Sequence, residues 1–97
     1  RKIANERLRH FNAFYGFRIG MVRIGNQKSR WGSCSRNGNI NFNCRILFLS
    51  PEERDYVIVH ELCHLAELNH GSRFWLLVSG TLPNHKEVRA SLRKKVL

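Results

Sequence analysis

Ser50-Pro51-Glu52-Glu53, followed by the run from Tyr56 to Leu68, constrains this chain more than any other stretch. Ser50 is suited to cap a helix. Pro51 falls at the first helical position, where its missing N–H would be unsatisfied anyway, and Glu53 completes a capping box. Beyond that start, Tyr56, Val57, Ile58, Val59, Leu62, Cys63, Leu65, Ala66 and Leu68 make the helix apolar over most of its circumference. A helix apolar nearly all round is buried. His60, Glu61 and His64 are then polar exceptions in a dry setting, and buried polar groups need partners.

The spacing of these exceptions points to a metal. Residues four apart share a helix face, so the imidazoles of His60 and His64 converge, with Glu61 beside the first of them. Catalytic zinc usually takes three protein ligands and one water. His70 is the natural third, but on an unbroken helix it would lie roughly 240° beyond His64. The chain is therefore expected to leave the helix after about Leu68, at Asn69-His70-Gly71, where residues tolerate left-handed conformations. On this reading one Zn²⁺ per chain is bound by His60, His64 and His70. Glu61 takes the proton as the zinc-bound water attacks a peptide bond.

The flanking sequence frames that helix. Ala4, Leu8, Phe11 and Tyr15 give residues 2–15 an amphipathic helical spacing that Gly16 can end, with Arg7, Arg9 and Asn12 off the apolar stripe. From Phe17 to Ile24 the period shifts towards two and predicts a strand, with a turn at Gly25-Asn26. Asn37-Gly38 predicts a type I′ two-residue hairpin that pairs Arg36 with Asn39 and Trp31 with Cys44. One face then collects Trp31, Ser33, Ser35, Ile40, Phe42 and Cys44. The other, with Gly32, Cys34, Asn39, Asn41 and Asn43, reads as a solvated sheet face. Ser72 is expected to cap a helix carrying Phe74, Trp75, Leu77 and Val78, closed by Gly80 and Pro83. A last helix from His85 or Lys86 carries Val88, Leu92 and Val96.

Ninety-seven residues, 42% of them apolar, suit one globular domain. The chain opens at Arg1 inside a helical pattern, as expected of a domain excised or trimmed from a longer chain. No apolar run is long enough to span a bilayer, and no export signal opens the sequence. Cys34, Cys44 and Cys63, an odd number without CxxC spacing, read as buried reduced thiols of a cytoplasmic protein rather than ligands. Seventeen Lys and Arg against seven Asp and Glu give +10. That raises affinity for nucleic acid or acidic substrates, although the basic residues are spread along the chain apart from Arg89, Arg93, Lys94 and Lys95.

Four strings in order resemble one family over about residues 17–93: Gln27 to Cys34 (QKSRWGSC), Asn41-Phe42-Asn43, Tyr56 to His64 (YVIVHELCH) and Asn69 to Trp75 (NHGSRFW). Together they resemble the YgjP-like metallopeptidase domain, related to the WLM and SprT-like zinc proteases. The resemblance implies a minimal zincin-type α+β fold, in which a small antiparallel sheet with its hairpin packs against the HExxH helix, with helices at both ends. It also implies that His60, His64 and His70 are the zinc ligands and Glu61 the general base. Metzincins share the first-to-third histidine spacing but place Gly where this chain has Glu67. They also need a later Met-turn, whereas the one methionine here is Met21.

Arg30-Trp31-Gly32-Ser33-Cys34 reads as an edge strand that could hold a peptide by β-addition, with Gly32 permitting close approach. Trp31 reads first as a core residue. Arg73 either polarises a substrate carbonyl or pairs with Glu67. The leading expectation is a zinc peptidase acting on peptide or protein. One alternative is a metal-dependent phosphoanhydride hydrolase, weakened because no Gly-rich phosphate loop is present. Another is a basic nucleic-acid-binding module with structural zinc, although three histidines beside a glutamate form an open set and structural sites are closed. WLM and SprT-like proteins act on DNA-linked proteins, which makes nucleic acid a candidate partner by analogy alone.

Overall fold

The computed structural model describes residues 2–26 and 29–95. Gln27, Lys28 and Val96 lie outside the described residues. Helix α1 (Lys2–Tyr15) turns Ala4, Leu8 and Phe11 inward as its spacing predicts, and Gly16, at φ 71°, ends it. Arg7, off that stripe, reaches Asp55 through two N–H···O bonds of 3.0 and 2.9 Å. This bidentate pair fixes orientation as well as adding energy.

The strand expected over Phe17–Ile24 is shorter and later, with β1 at Val22–Gly25. Phe17 and Ile19 are half-buried, and so are Val22 and Ile24, so the inward parity changes between the two pairs. Gly20 sits at that change and donates to Gly38 O; a Cβ there would lie 2.5 Å from Asn39 Oδ1.

β2 (Gly32–Cys34) and β3 (Ile40–Asn43) form the expected hairpin, one residue out of the expected register. Gly32 pairs with Phe42, Ser33 with Asn41 and Cys34 with Ile40. The loop explains the difference. A type I′ turn needs positive φ at both central residues, but Gly38 has φ 84° and Asn37 does not have positive φ. Gly38 N donates to Ser35 O and Ser35 N to Asn39 O, closing a three-residue loop with glycine in the left-handed position. Gly32 and Cys34 therefore share a face with Ile40 and Phe42 rather than with the asparagines. Nor is the asparagine row a solvated face. Asn43 is wholly buried, accepts from Arg45 N and donates to Arg30 O. It caps a 3₁₀ turn, Cys44–Phe48, for which the sequence carried no expectation.

The α+β class stands, but the sheet is mixed rather than antiparallel. Its order is β1-β3-β2, and β1 runs parallel to β3. β1 and β2 are thus the two edges of the sheet, and both pair with the central β3.

Helix α2 (Pro51–Cys63) begins as predicted: Ser50 Oγ accepts from Glu53 N, and Glu53 Oε1 accepts from Ser50 N, each at 3.2 Å. Its buried Val57, Ile58, Val59, Leu62 and Cys63 form the middle of the core. Ile40 and Phe42 of the sheet, the α1 stripe, Phe74 and Val78 of α3 (Ser72–Ser79), and Val88 and Leu92 of α4 (His85–Arg93) complete it. Burial of such side chains contributes about 1.5–3 kcal/mol each. Cys63 faces the core as expected, and burial pushes its thiol up to about 11. Ser72 is not a cap: Gly71 takes that position without a side-chain bond.

Candidate metal centre and cleft

Helix α2 ends at Cys63, earlier than the expected Leu68. His64 closes it, and tight bonds from Leu65 N to Leu62 O and from Ala66 N to Cys63 O wind the chain down. Asn69 and His70 do not use left-handed conformations. The early end turns the Glu67 carbonyl back onto His64, whose Nδ1 donates to it at 2.9 Å. That bond sets the tautomer and leaves Nε2 with its lone pair, the usual arrangement for a metal-binding imidazole.

The broken helix also brings His70 back. One ring nitrogen from each of His60, His64 and His70 lies within 4.8 Å of the others. His64 Nε2 and His70 Nε2 are 2.8 Å apart, a distance that needs a shared proton or a cation between the two nitrogens. Tetrahedral zinc with N ligands spaces such nitrogens about 3.3 Å apart, so a small opening of this pair accommodates the ion. Burial, then repulsion from His60, lowers the pKa of His70. Burial also lowers that of His64 and outweighs the bond to Glu67. Both imidazoles are therefore neutral at neutral pH, the form a metal requires. A soft-edged aromatic shell holds them. Phe74 stacks on His64 with centroids 4.4 Å apart, and Trp75 Nε1 donates to the His70 carbonyl at 3.1 Å.

Glu61, 6% exposed, lies at the mouth of this cluster with Oε2 3.2 Å from His60 Nδ1. Opposite it runs β2, whose outer edge is unpaired in the sheet. Trp31 O accepts from Asn43 N and Ser35 N donates to Asn39 O, so alternate residues of β2 bond to β3. Gly32 and Cys34 then direct their backbone groups to the free edge.

Comparison with known proteins decides the family. The sequence matches the YgjP-like metallopeptidase domain over residues 1–95. The chain belongs to the YgjP-like metallopeptidase family. No curated protein matches it. Among solved structures, the metallopeptidase zymogen abylysin of Pyrococcus abyssi is 29% identical with a TM-score of 0.84. The alignment covers 94% of this chain and 92% of that one. The zymogen jannalysin of Methanocaldococcus jannaschii shares the fold with a TM-score of 0.82, 18% identity and 97% coverage of both chains. This YgjP-like domain is accordingly a hydrolase of metallopeptidase type, and its family implies a catalytic metal. No helix among the described residues is long and apolar enough to cross a membrane.

Of the remaining sequence-predicted site residues, Arg30 and Gly32 line the cleft beside His60 and Glu61, with Trp31 on the adjoining wall. Trp31 serves both readings, half-buried against the core with a face on the cleft. Gly32 makes its close approach to Glu61: a Cβ there would meet Glu61 Cγ at 3.0 Å and Asn41 O at 3.1 Å. Arg73 is exposed and makes no ion pair with Glu67 among the described residues, so that pairing does not occur. Sequence reasoning missed Tyr56, Arg89 and Arg93 as cleft residues, and Trp75 as the donor that supports the His70 backbone. Trp75 lay within the HGSRFW string, while Arg89 and Arg93 share the four-residue spacing that marks one helix face.

Proposed function

We propose that this domain is a zinc-dependent peptidase in which His60, His64 and His70 hold one Zn²⁺ and Glu61 is the general base. The observation that carries the reading is the convergence of three imidazoles beside a mostly buried carboxylate, under a free strand edge. Zinc bound there supplies Lewis acidity, polarising the attacked carbonyl and bringing the pKa of a water to about 7.

The residues of the chain do the rest. The Gly32 and Cys34 backbone groups hold an extended peptide as an added strand, with Arg30 beside it, and so present the scissile carbonyl above Glu61. The Glu61 carboxylate takes one proton from the attacking water as the new C–O bond forms. It then delivers that proton to the amide nitrogen as the C–N bond breaks. The Glu67 carbonyl holds the His64 ring in place, and Gly32, lacking a side chain, leaves Glu61 room to move between these positions. The free thiols of Cys34, Cys44 and Cys63 support a reducing, cytoplasmic setting.

The test is metal analysis of wild type and His70→Ala, with cleavage of an unstructured protein by wild type and Glu61→Gln. Stoichiometric zinc in wild type, lost with His70, and turnover lost with Glu61 at unchanged zinc content are the expected results. A wild type without zinc overturns the reading. Hydrolysis of nucleoside triphosphates in place of protein would replace it with phosphoanhydride chemistry.

A further inference from the structure

The peptidase mechanism leaves unused the part of the cleft beyond Trp31. A chamber of about 490 Å³ there shares Trp31, Tyr56 and Leu92 with the chamber that holds Glu61. Its charged lining is Arg89, Arg93 and Lys95, with no carboxylate side chain among the described residues that form it. Arg89 and Arg93, four apart on α4, lie beside the inward stripe of Val88 and Leu92 and so face the same way.

The three cations are not equivalent. Lys95 Nζ lies 3.4 Å from Glu53 Oε1, which already uses much of its charge. The Arg89 guanidinium is held 4.9 Å over the Trp75 ring. Arg93 has no carboxylate partner among the described residues. From the opposite wall comes Tyr56, 4% exposed, which borders both chambers. Its hydroxyl makes no hydrogen bond among the described residues. A hydroxyl without a protein partner and a guanidinium without a carboxylate, lining one chamber, are an incomplete set of donors, and what they lack is an acceptor with negative charge. Trp31 and Leu92 supply the apolar surface that would lie along the methylene groups carrying such an acceptor.

We propose that this chamber is a subsite for an acidic side chain of the peptide substrate, with an Asp or Glu carboxylate held by Arg93 and the Tyr56 hydroxyl close to the scissile bond. The inference rests on the peptidase reading and adds a substrate preference to it. A side chain fits better than a chain terminus, because exposed Arg93 and Lys95 leave the outer end open for a peptide to continue.

The zinc-loaded protein is assayed on peptides that differ only by Glu, Gln or Lys, placed in turn at two positions on either side of the cleaved bond, each blocked at both ends and, for comparison, with a free C-terminus. At one position Glu raises kcat/KM by about fivefold over Gln, a modest figure because Arg93 is exposed. Arg93→Gln removes that ratio, Arg93→Glu turns it towards Lys, and Tyr56→Phe reduces it. Arg9→Gln, on the exposed side of α1, leaves it unchanged. Circular dichroism of each variant separates misfolding from lost selectivity. An equal rate on Glu and Gln peptides in wild type, or a ratio untouched by both Arg93 variants, overturns the proposal. So does cleavage that requires a free C-terminal carboxylate. Loss of single-stranded oligonucleotide binding in Arg93→Gln with the Glu/Gln ratio intact assigns the chamber to phosphate and overturns it too. If wild type cleaves neutral peptides without acid preference, only this inference falls. If it cleaves no peptide at all, the peptidase reading falls first.

Discussion

The two ends of α2 are built on opposite plans. At its start Glu53 is 4% exposed and surrounded by donors: Ser50 N and Ser50 Oγ at 3.2 and 3.0 Å, Ser91 Oγ at 2.8 Å, and Lys95 at 3.4 Å. Both carboxylate oxygens have a claimant, and three of the contacts tie α2 to the cap or to α4. At the other end the helix stops short. There one ring nitrogen from each of His60, His64 and His70 lies within 4.8 Å of the others, and no carbonyl or carboxylate of the described residues stands between them. One end is satisfied within the chain and serves stability. The other leaves its donors open, as a metal site needs.

That contrast can be broken by mutation. The largest effect is expected at the incomplete end: Glu61→Gln should lower turnover by about 10²–10⁴-fold while zinc content, read by atomic absorption, is unchanged. A large loss of thermal stability instead would mean that Glu61 belongs with the structural end. Glu53→Gln should do the converse, costing about 2–3 kcal/mol in urea unfolding and leaving kcat near wild type below the melting range.

Glu53 also sets a pH dependence. Burial alone would raise its pKa, but hydrogen bonds from Ser91, Ser50 and Lys95 outweigh it and hold the carboxyl below its ordinary 4.5. Because the folded value is the lower one, its stabilising contribution is present above the unfolded value. It is lost as pH falls through the folded one. Unfolding free energies measured from pH 6 downward should therefore fall less steeply in Glu53→Gln than in wild type. Equal slopes would show that the cluster does not favour the ionised form.

Two smaller changes sharpen the boundary. Gly32→Ala places a methyl 3.0 Å from Glu61 Cγ and should reduce kcat by about tenfold with the melting temperature little changed. A loss confined to KM would mean that the methyl obstructs substrate rather than Glu61. Trp75→Phe keeps the ring but removes the donor to the His70 carbonyl, and should weaken zinc by about tenfold in a chelator titration. Unchanged affinity would reduce Trp75 to packing.

What the sequence revealed follows the same division. The start of α2 was legible because a capping box is a local rule among neighbours: Ser50, Pro51 and Glu53 decide it by themselves. The convergence of His60 and His64 was legible for the same reason, since helical spacing alone sets it. The helix end was not. Gly71 and Asn69 advertised a break, yet the chain turned at His64, where the bond to Glu67 and the stacking of Phe74 favour leaving the helix. Those are contacts with later residues, invisible to periodicity. Asn43 misled for a related reason: a polar residue alternating on a strand looks solvated, and only the fold shows it buried between Arg30 and Arg45. Arg89 and Arg93 read as part of a basic cluster at a helix end, and only the packing of α4 turns them towards the cleft.

The three-residue loop at Arg36-Asn37-Gly38 has a consequence for how variants of this domain are compared. Pairing Gly32 with Phe42 places a hydrogen, and not a side chain, against Glu61. Closing the same chain with a two-residue turn at Asn37-Gly38, so that Arg36 pairs with Asn39 and Ser33 stands opposite Phe42, would aim a hydroxymethyl group at the same carboxylate and turn Trp31 over with it. The type of turn at this exposed tip therefore decides which residue of β2 meets Glu61, so a substitution at Gly38 that shifts the turn is felt at the far end of the hairpin.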